Sequence, residues 1–454
     1  MPWWTVLPFG LLLAAIAILP LIPALAQRWE RPTWQLPACL LLGLAGALPA
    51  VAYGHGLAVG QSVIEYGQFI VLLTGLFVVS GGIALTGDLA GTPKVNTIML
   101  GVGAVLASFI GTTGAAMLLI RPLLRSNGHR QRRAHLVIFA IFIVANTGGL
   151  LTPLGDPPLF LGFLRGVPFG WTLRLWPEWL LVNGLLLLTF YCLDRAFLRQ
   201  EDPSKDIIEP LRIVGWAQLI WFGLIIVAVA VVPSIEVGGA GWWSYVPWRE
   251  LVIATAAVAS WLTAPRRVRF AVNDFDWRPM AEVAILFSGI FLAMVPALIL
   301  LDQHAAAWQI SPLGFHLMTG SLSSVLDNAP TYATFFETAS VSALAASPSV
   351  ALVAGVPATY LAAISTGAVM WGGLTYLGNG PNFLVRSVAV HAGVIMPSFV
   401  GYLGWSLRWL LPILLTSMCA FVSGPAWLPW LGVAGAVLIV TRAVLVAAGK
   451  LPLR

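Results

Sequence analysis

Apolar positions along this chain gather in uninterrupted stretches of roughly 17–25 residues, the length a helix needs to cross the hydrocarbon of a bilayer. The pattern predicts spans at residues 4–26, 34–52, 63–86, 134–165, 175–193, 213–232, 250–264, 280–301, 350–385, 410–423 and 427–448. Two of these, 134–165 and 350–385, are interrupted by Gly, Pro and polar residues. Two further apolar segments, 96–124 and 309–338, are broken near their middles by "GTTG" (111–114) and "DNAPT" (327–331). The expected fold class is an all-α polytopic membrane protein.

Composition agrees. Of 454 residues, 59% are apolar and 9% charged, with a mean hydropathy of +0.89; soluble domains carry about 25% charged residues. The net charge of +6 is therefore read as a report on topology and not as a nucleic-acid footprint. The N-terminal "MPWWTVLPFGLLLAAIAILPLIPALAQ" ends in Ala-x-Ala like a secretory leader, yet no Lys or Arg precedes its apolar run, and Arg28 and Arg31 follow it. It is read as a retained first span with the N-terminus outside. Letting the path alternate from there puts 20 of the 24 Lys and Arg residues on one face, Lys205 and Arg454 among them, which satisfies the positive-inside rule and leaves the C-terminus cytoplasmic. Because Lys94 and the basic run Arg121–Arg133 flank it, segment 96–124 must enter and leave on the same face. It is expected to be a re-entrant hairpin with arms of about ten to fifteen residues, too short to span. Cys39, Cys192 and Cys419 lack metal-like spacing and are read as core thiols without a disulfide framework.

The chain repeats itself. "TGLFVVSGGIALTGD" (74–88) parallels "SGIFLAMVPALILLD" (288–302), "GGLLTPLGDPP" (148–158) parallels "GGLTYLGNGPN" (372–382), and "GWTLR" (170–174) parallels "GWSLR" (404–408). The interrupted segments come in the same order in both copies. The charge-derived path runs residues 74–88 inward and 288–302 outward, so the repeats are expected to be inverted. The division this implies is 1–62 as N-terminal scaffold spans and 63–193 as the first repeat, with its hairpin 96–124 and broken helix 134–165. A connecting scaffold at 194–279 follows. The second repeat is 280–425, with hairpin 309–338 and broken helix 350–385, and a last span occupies 426–454. Paired broken helices in two inverted halves are the best sequence pointer to a transporter's binding site. A kink from Pro and Gly explains a single break equally well, but not two matched breaks facing two matched hairpin tips.

The interruptions supply hard oxygen ligands and no soft or imidazole ones, which suits Na⁺ and not a transition metal. The candidate binding residues are Thr112 and Thr113 at the first hairpin, then Asn146, Thr152 and Asp156 at the first break. Asp327, Asn328 and Thr331 follow at the second hairpin, and Ser365, Thr375, Asn379 and Asn382 at the second break. Asp156, Asp327 and Asn328 are the expected Na⁺ ligands, and Asp156 and Asp327 the proton-coupling pair. A carboxylate in hydrocarbon costs at least about 2.5–3.5 kcal/mol and marks ion or proton pathways; it holds either a proton or a cation, the competition that an exchanger needs. The plainer role for either Asp is a helix cap at its break. No nucleophile–base pair or metal motif appears, which speaks against an enzyme.

Together "NTGG…TPLGD" and "LDNAPT" resemble the ion transporter superfamily, whose members include dicarboxylate and citrate carriers, arsenite permeases and NhaD-type sodium/proton antiporters. The likeness covers about residues 35–425. It implies two inverted repeats, a mobile transport region against a scaffold, a homodimer, and a bacterial-type inner (cell) membrane. It also implies ion ligation near Asn146, Thr152 and Asp156 and near Asp327, Asn328 and Thr331. "GTTG" and "DNAP" stand where the dicarboxylate branch has Ser-Asn-Thr motifs, and Pro157 and Pro158 where the antiporters carry hydroxyls. The first functional reading is sodium/proton antiport by alternating access, with Na⁺ and H⁺ as transported species and no cofactor. The alternative is cation- or proton-coupled transport of an anion such as citrate, a dicarboxylate or arsenite. The partners expected are small ions, such an anion and the lipid bilayer.

Overall fold

The computed structural model describes residues 1–451 except 23, 24, 26, 27, 30, 89, 90, 200–208, 236–240, 306, 307 and 347–350. Lys205 and Arg454 of the charge tally, and Ala24 and Ala26 of the leader-like ending, lie outside the described residues. Seven described helices are long and apolar enough to cross a membrane, or eight if Phe399–Trp409 and Leu411–Phe421, bent by 41° at their junction, form one span. The protein is a multi-pass α-helical membrane protein. Its described strands are two small antiparallel ribbons, Ala84–Asp88 with Glu209–Val214 and Leu352–Val353 with Val356–Pro357.

In lipid, helices gain little from hydrophobicity when they meet, so close contact depends on small residues. Helix Pro32–Ala52 packs against Arg278–Ala293 in this way. A Cβ on Gly46 would lie 2.9 Å from the Ala293 Cα, and one on Gly289 would lie 2.7 Å from the Cys39 carbonyl oxygen. Gly56–Ser80 packs on Trp248–Thr263, and Leu428–Ala447 on Leu411–Phe421 and Trp176–Leu198. In the first apolar run a 3-10 turn, Trp3–Val6, leads into helix Leu7–Ile18 and a second 3-10 turn, Leu19–Leu21. Cys39 and Cys192 are buried and Cys419 half-buried, all with free thiols.

Two helical hairpins occupy the broken apolar segments. The first has arms Pro93–Ile110 and Thr112–Ser126, joined at Gly111, whose φ of +83° is a left-handed value that glycine takes without strain. The second has arms Pro312–Ser323 and Asn328–Ala346. These arms run to 18, 15, 12 and 19 residues; Pro93–Ile110 exceeds the ten to fifteen expected of the first hairpin and is long and apolar enough to cross a membrane, because the helical pattern continues beyond the purely apolar positions on which the estimate rested.

Beside each hairpin lies a helix that stops in the middle of the molecule. Ala134–Ile143 gives way to a 3-10 turn, Thr147–Leu151, and then to a half-helix, Pro157–Leu164. Ala358–Trp371 gives way to Gly372–Leu374 and then to Gly380–His391. Every residue of 135–143 and of 363–371 is buried, and apart from His135, Ser365 and Thr366 both stretches are apolar, with no solvent-facing polar side.

Candidate functional site

Backbone freed at a helix break must find partners inside the protein, because none is offered by lipid. Both breaks solve this in the same way. A Cβ on Gly155 would lie 2.1 Å from the Gly149 carbonyl oxygen, and one on Gly378 would lie 2.5 Å from that of Gly372, so each loop closes on a glycine pair six residues apart. Thr152 donates through its hydroxyl to the Ser108 carbonyl in its own hairpin, and Thr375 donates likewise to Ser324, at 2.5 Å. The same hydroxyls accept from Leu154 N at 3.2 Å and Leu377 N at 3.0 Å. Thr172 of "GWTLR" donates to the Leu151 carbonyl at 2.9 Å, and Ser406 of "GWSLR" to the Leu374 carbonyl at 2.6 Å. The matched pentapeptides are thus matched because each ties down one carbonyl of its break. Sequence reasoning passed over these hydroxyls; their equal position in the two copies was the available signal.

Asp156 and Asn379 are the equivalent residues at the N-caps of the two half-helices, with φ, ψ of −147°, 144° and −155°, 136°. An Asp at such a position ordinarily caps its own helix by accepting from the N–H groups two or three residues on. Pro158 removes the first of those donors, Leu159 N donates to the Asp156 backbone carbonyl at 3.1 Å, and the Asp156 side chain makes no cap bond. It turns outward and is buried to 1% exposure. There it accepts from Thr112 Oγ1 at 2.9 Å, from Asn379 Nδ2 at 3.2 Å, and from Asn328 Nδ2. One carboxylate therefore joins the first break, the second break and both hairpin tips. Thr112 N also donates to the Gly155 carbonyl at 2.9 Å.

Around this centre the amides form a second layer. Asn146 Nδ2 donates to the Ile141 carbonyl and to Asn382 Oδ1, both at 2.8 Å, while Asn382 Nδ2 donates to the Gly372 and Thr375 carbonyls, both at 2.9 Å. Asn328 Oδ1 is buried with no hydrogen-bond partner among the described residues. Four helices, Thr112–Ser126, Pro157–Leu164, Asn328–Ala346 and Gly380–His391, begin at this cluster. Each N-terminus carries roughly half a positive charge, so about two charges' worth of dipole faces Asp156, with the Asp327 carboxylate near enough for its charge to act there too. The helices that end here contribute the opposite sign through their carbonyls. Several of those carbonyls are already taken by side-chain donors: Gly148 by Ser108 and Trp179, Gly373 by Tyr402, and Gly372 by Asn382.

Of the residues expected at the site, Thr112, Asn328 and Asn379 touch Asp156, and Asn146 and Asn382 line the next layer. Thr152 and Thr375 hold breaks to hairpins and do not meet the carboxylate. Thr331 is buried but turned to its own helix, donating to the Asp327 carbonyl at 3.0 Å. Thr113 is half-buried behind the tip. Ser365 lies within helix Ala358–Trp371, buried and without a hydrogen-bond partner among the described residues. Asp327 does not mirror Asp156: it is half-buried, and its Oδ1 accepts from Ala329 N at 3.2 Å, capping the helix that carries Asn328. Trp371, just before the second break, packs on Gly320 and donates to His316 Nε2 at 3.1 Å. A cavity of about 240 Å³, lined by Trp171, Arg174, Glu178, His316, Thr366 and Ser417 among others, includes none of Asp156's partners.

A many-helix membrane protein whose paired breaks meet paired hairpin tips at a buried polar centre belongs to the ion-transporter class. A family model described as "Putative citrate transport" matches residues 1–422, and the chain is a member of that citrate-transporter-like family. No curated protein matches the chain.

Proposed function

We propose that this protein is a secondary transporter that moves a small carboxylate anion of the citrate type together with a proton or Na⁺ by alternating access. The single observation that carries the reading is Asp156, a buried acid on which both breaks and both hairpin tips converge. Four helix N-termini favour negative charge at that point, and in this structure Asp156 supplies it. An arriving anion competes with Asp156 for the same donors. A proton or cation on Asp156 cancels its charge and frees Thr112, Asn328 and Asn379 to bind the cargo, so the two species load together. The equivalence of the two breaks supports two repeats, and the charge-derived path supports their inversion, with both hairpins re-entrant, the N-terminus outside and the C-terminus in the cytoplasm. In this reading, hairpins and half-helices move against a scaffold that includes 1–62 and 194–279, within a homodimer.

One observation favours the second reading, sodium/proton antiport: among the described residues, no Lys or Arg is bonded to Asp156. Proteoliposomes separate the two. Labelled citrate should accumulate under an inward Na⁺ or H⁺ gradient, and Asp156→Asn should reduce gradient-driven uptake to background while the protein still purifies as a monodisperse species. If Na⁺ dissipates an imposed pH gradient with no organic acid present, and citrate does not enter, antiport replaces symport.

A further inference from the structure

The two breaks share their backbone path but differ at two side chains, and both differences act against a cation in the second. The position of Asp156 is taken by Asn379, which brings no charge. Three residues on, the first half has Leu159, a side chain with nothing to donate, whereas the second has Asn382. Asn382 is fully buried, and both hydrogens of its amide are committed, one to the Gly372 carbonyl and one to the Thr375 carbonyl, each at 2.9 Å. Its Oδ1 accepts from Asn146 Nδ2 at 2.8 Å, so the amide is held from both ends.

Carbonyls freed by an unwound helix are the groups that hold Na⁺ or H⁺ in transporters built from broken helices. Two such carbonyls here face a pair of N–H hydrogens carrying partial positive charge. The first break has the reverse character: a carboxylate, and beside it Asn328 Oδ1, a buried acceptor without a donor among the described residues. We infer that the Asn382 amide stands permanently in the place of a cation in the second break, so that each chain holds one coupling cation, beside Asp156. Asn382 is then the residue that sets the coupling number. This rests on the cation-coupled reading above and adds a count to it.

Radiolabelled Na⁺ binding to the purified full-length protein, at saturation and with and without citrate, tests the count. The inference expects one Na⁺ per chain. Two per chain would overturn it while leaving cation coupling intact, and none would remove Na⁺ coupling and this inference with it. Asn382→Ala uncovers the two carbonyls and should raise the count to two, with sodium dependence of uptake steepening from a Hill coefficient of about 1 towards 2. A monodisperse Asn382→Ala protein that still binds one Na⁺ sinks the assignment. If the variant does not fold, the wild-type count decides alone.

Discussion

At the scale of single residues, the two aspartates that look alike in the sequence part company. Each follows a helix break and precedes a helix. Asp156 is followed by Pro157 and Pro158, which offer no N–H, and so its carboxylate serves other elements. Asp327 is followed by Asn328 and Ala329, and its carboxylate accepts from the latter. The expectation that both couple protons therefore gives way to a proposal in which Asp156 couples and Asp327 positions Asn328. Asn is as good a cap as Asp, so Asp327→Asn should keep gradient-driven uptake within about threefold of wild type. Asp327→Ala should cost roughly 1 kcal/mol of stability and lower uptake by misplacing Asn328. Uptake abolished by Asp327→Asn in a stable protein would return Asp327 to the coupling role.

At the scale of elements, the breaks depend on backbone-to-backbone contact and on borrowed donors. Gly155→Ala and Gly378→Ala each push a methyl into a carbonyl group, and overpacking of this kind costs typically about 1–3 kcal/mol. Both variants should lower the melting temperature of the detergent-solubilised protein, whereas Gly60→Ala, where nothing lies within 4 Å of the added carbon, should not. The connectors are equally specific. Thr172→Val and Ser406→Ala leave the Leu151 and Leu374 carbonyls without their side-chain donor, a loss of about 1–3 kcal/mol for a buried group. The two substitutions should act alike if the pentapeptides do the same work in both halves; a stability loss in one and none in the other would contradict that equivalence.

At the scale of the whole molecule, hairpins, half-helices and connectors share one polar centre, while Pro32–Ala52 and Arg278–Ala293 press together through glycine. In the proposed alternating access, the first group moves against a scaffold that includes Pro32–Ala52. Single cysteines placed at Gly128 and Gly393, after replacement of the three native ones, report the topology: Gly128 follows the first hairpin within the Arg121–Arg133 basic run, and Gly393 ends the second half-helix near the cytoplasmic face of the charge-derived path. Both should be protected from an impermeant thiol reagent applied outside intact cells and become reactive after permeabilisation. Labelling of the Gly128 site from outside would mean that the first hairpin crosses the membrane and does not return to its starting face.

Membrane class and the places where helices break were legible in the chain itself, because run length, Pro and Gly act on the local backbone. The list of polar residues at the tips was legible too, but not its hierarchy. That Asp156 is central, that Asn382 closes the second break, and that Thr172 and Ser406 hold carbonyls follows from which donors reach which acceptors. The donors to Asp156 from the second half stand 172 and 223 positions along the chain. Only the packing of separate helices brings such groups within hydrogen-bonding distance of one another, and a linear pattern carries no term for that distance.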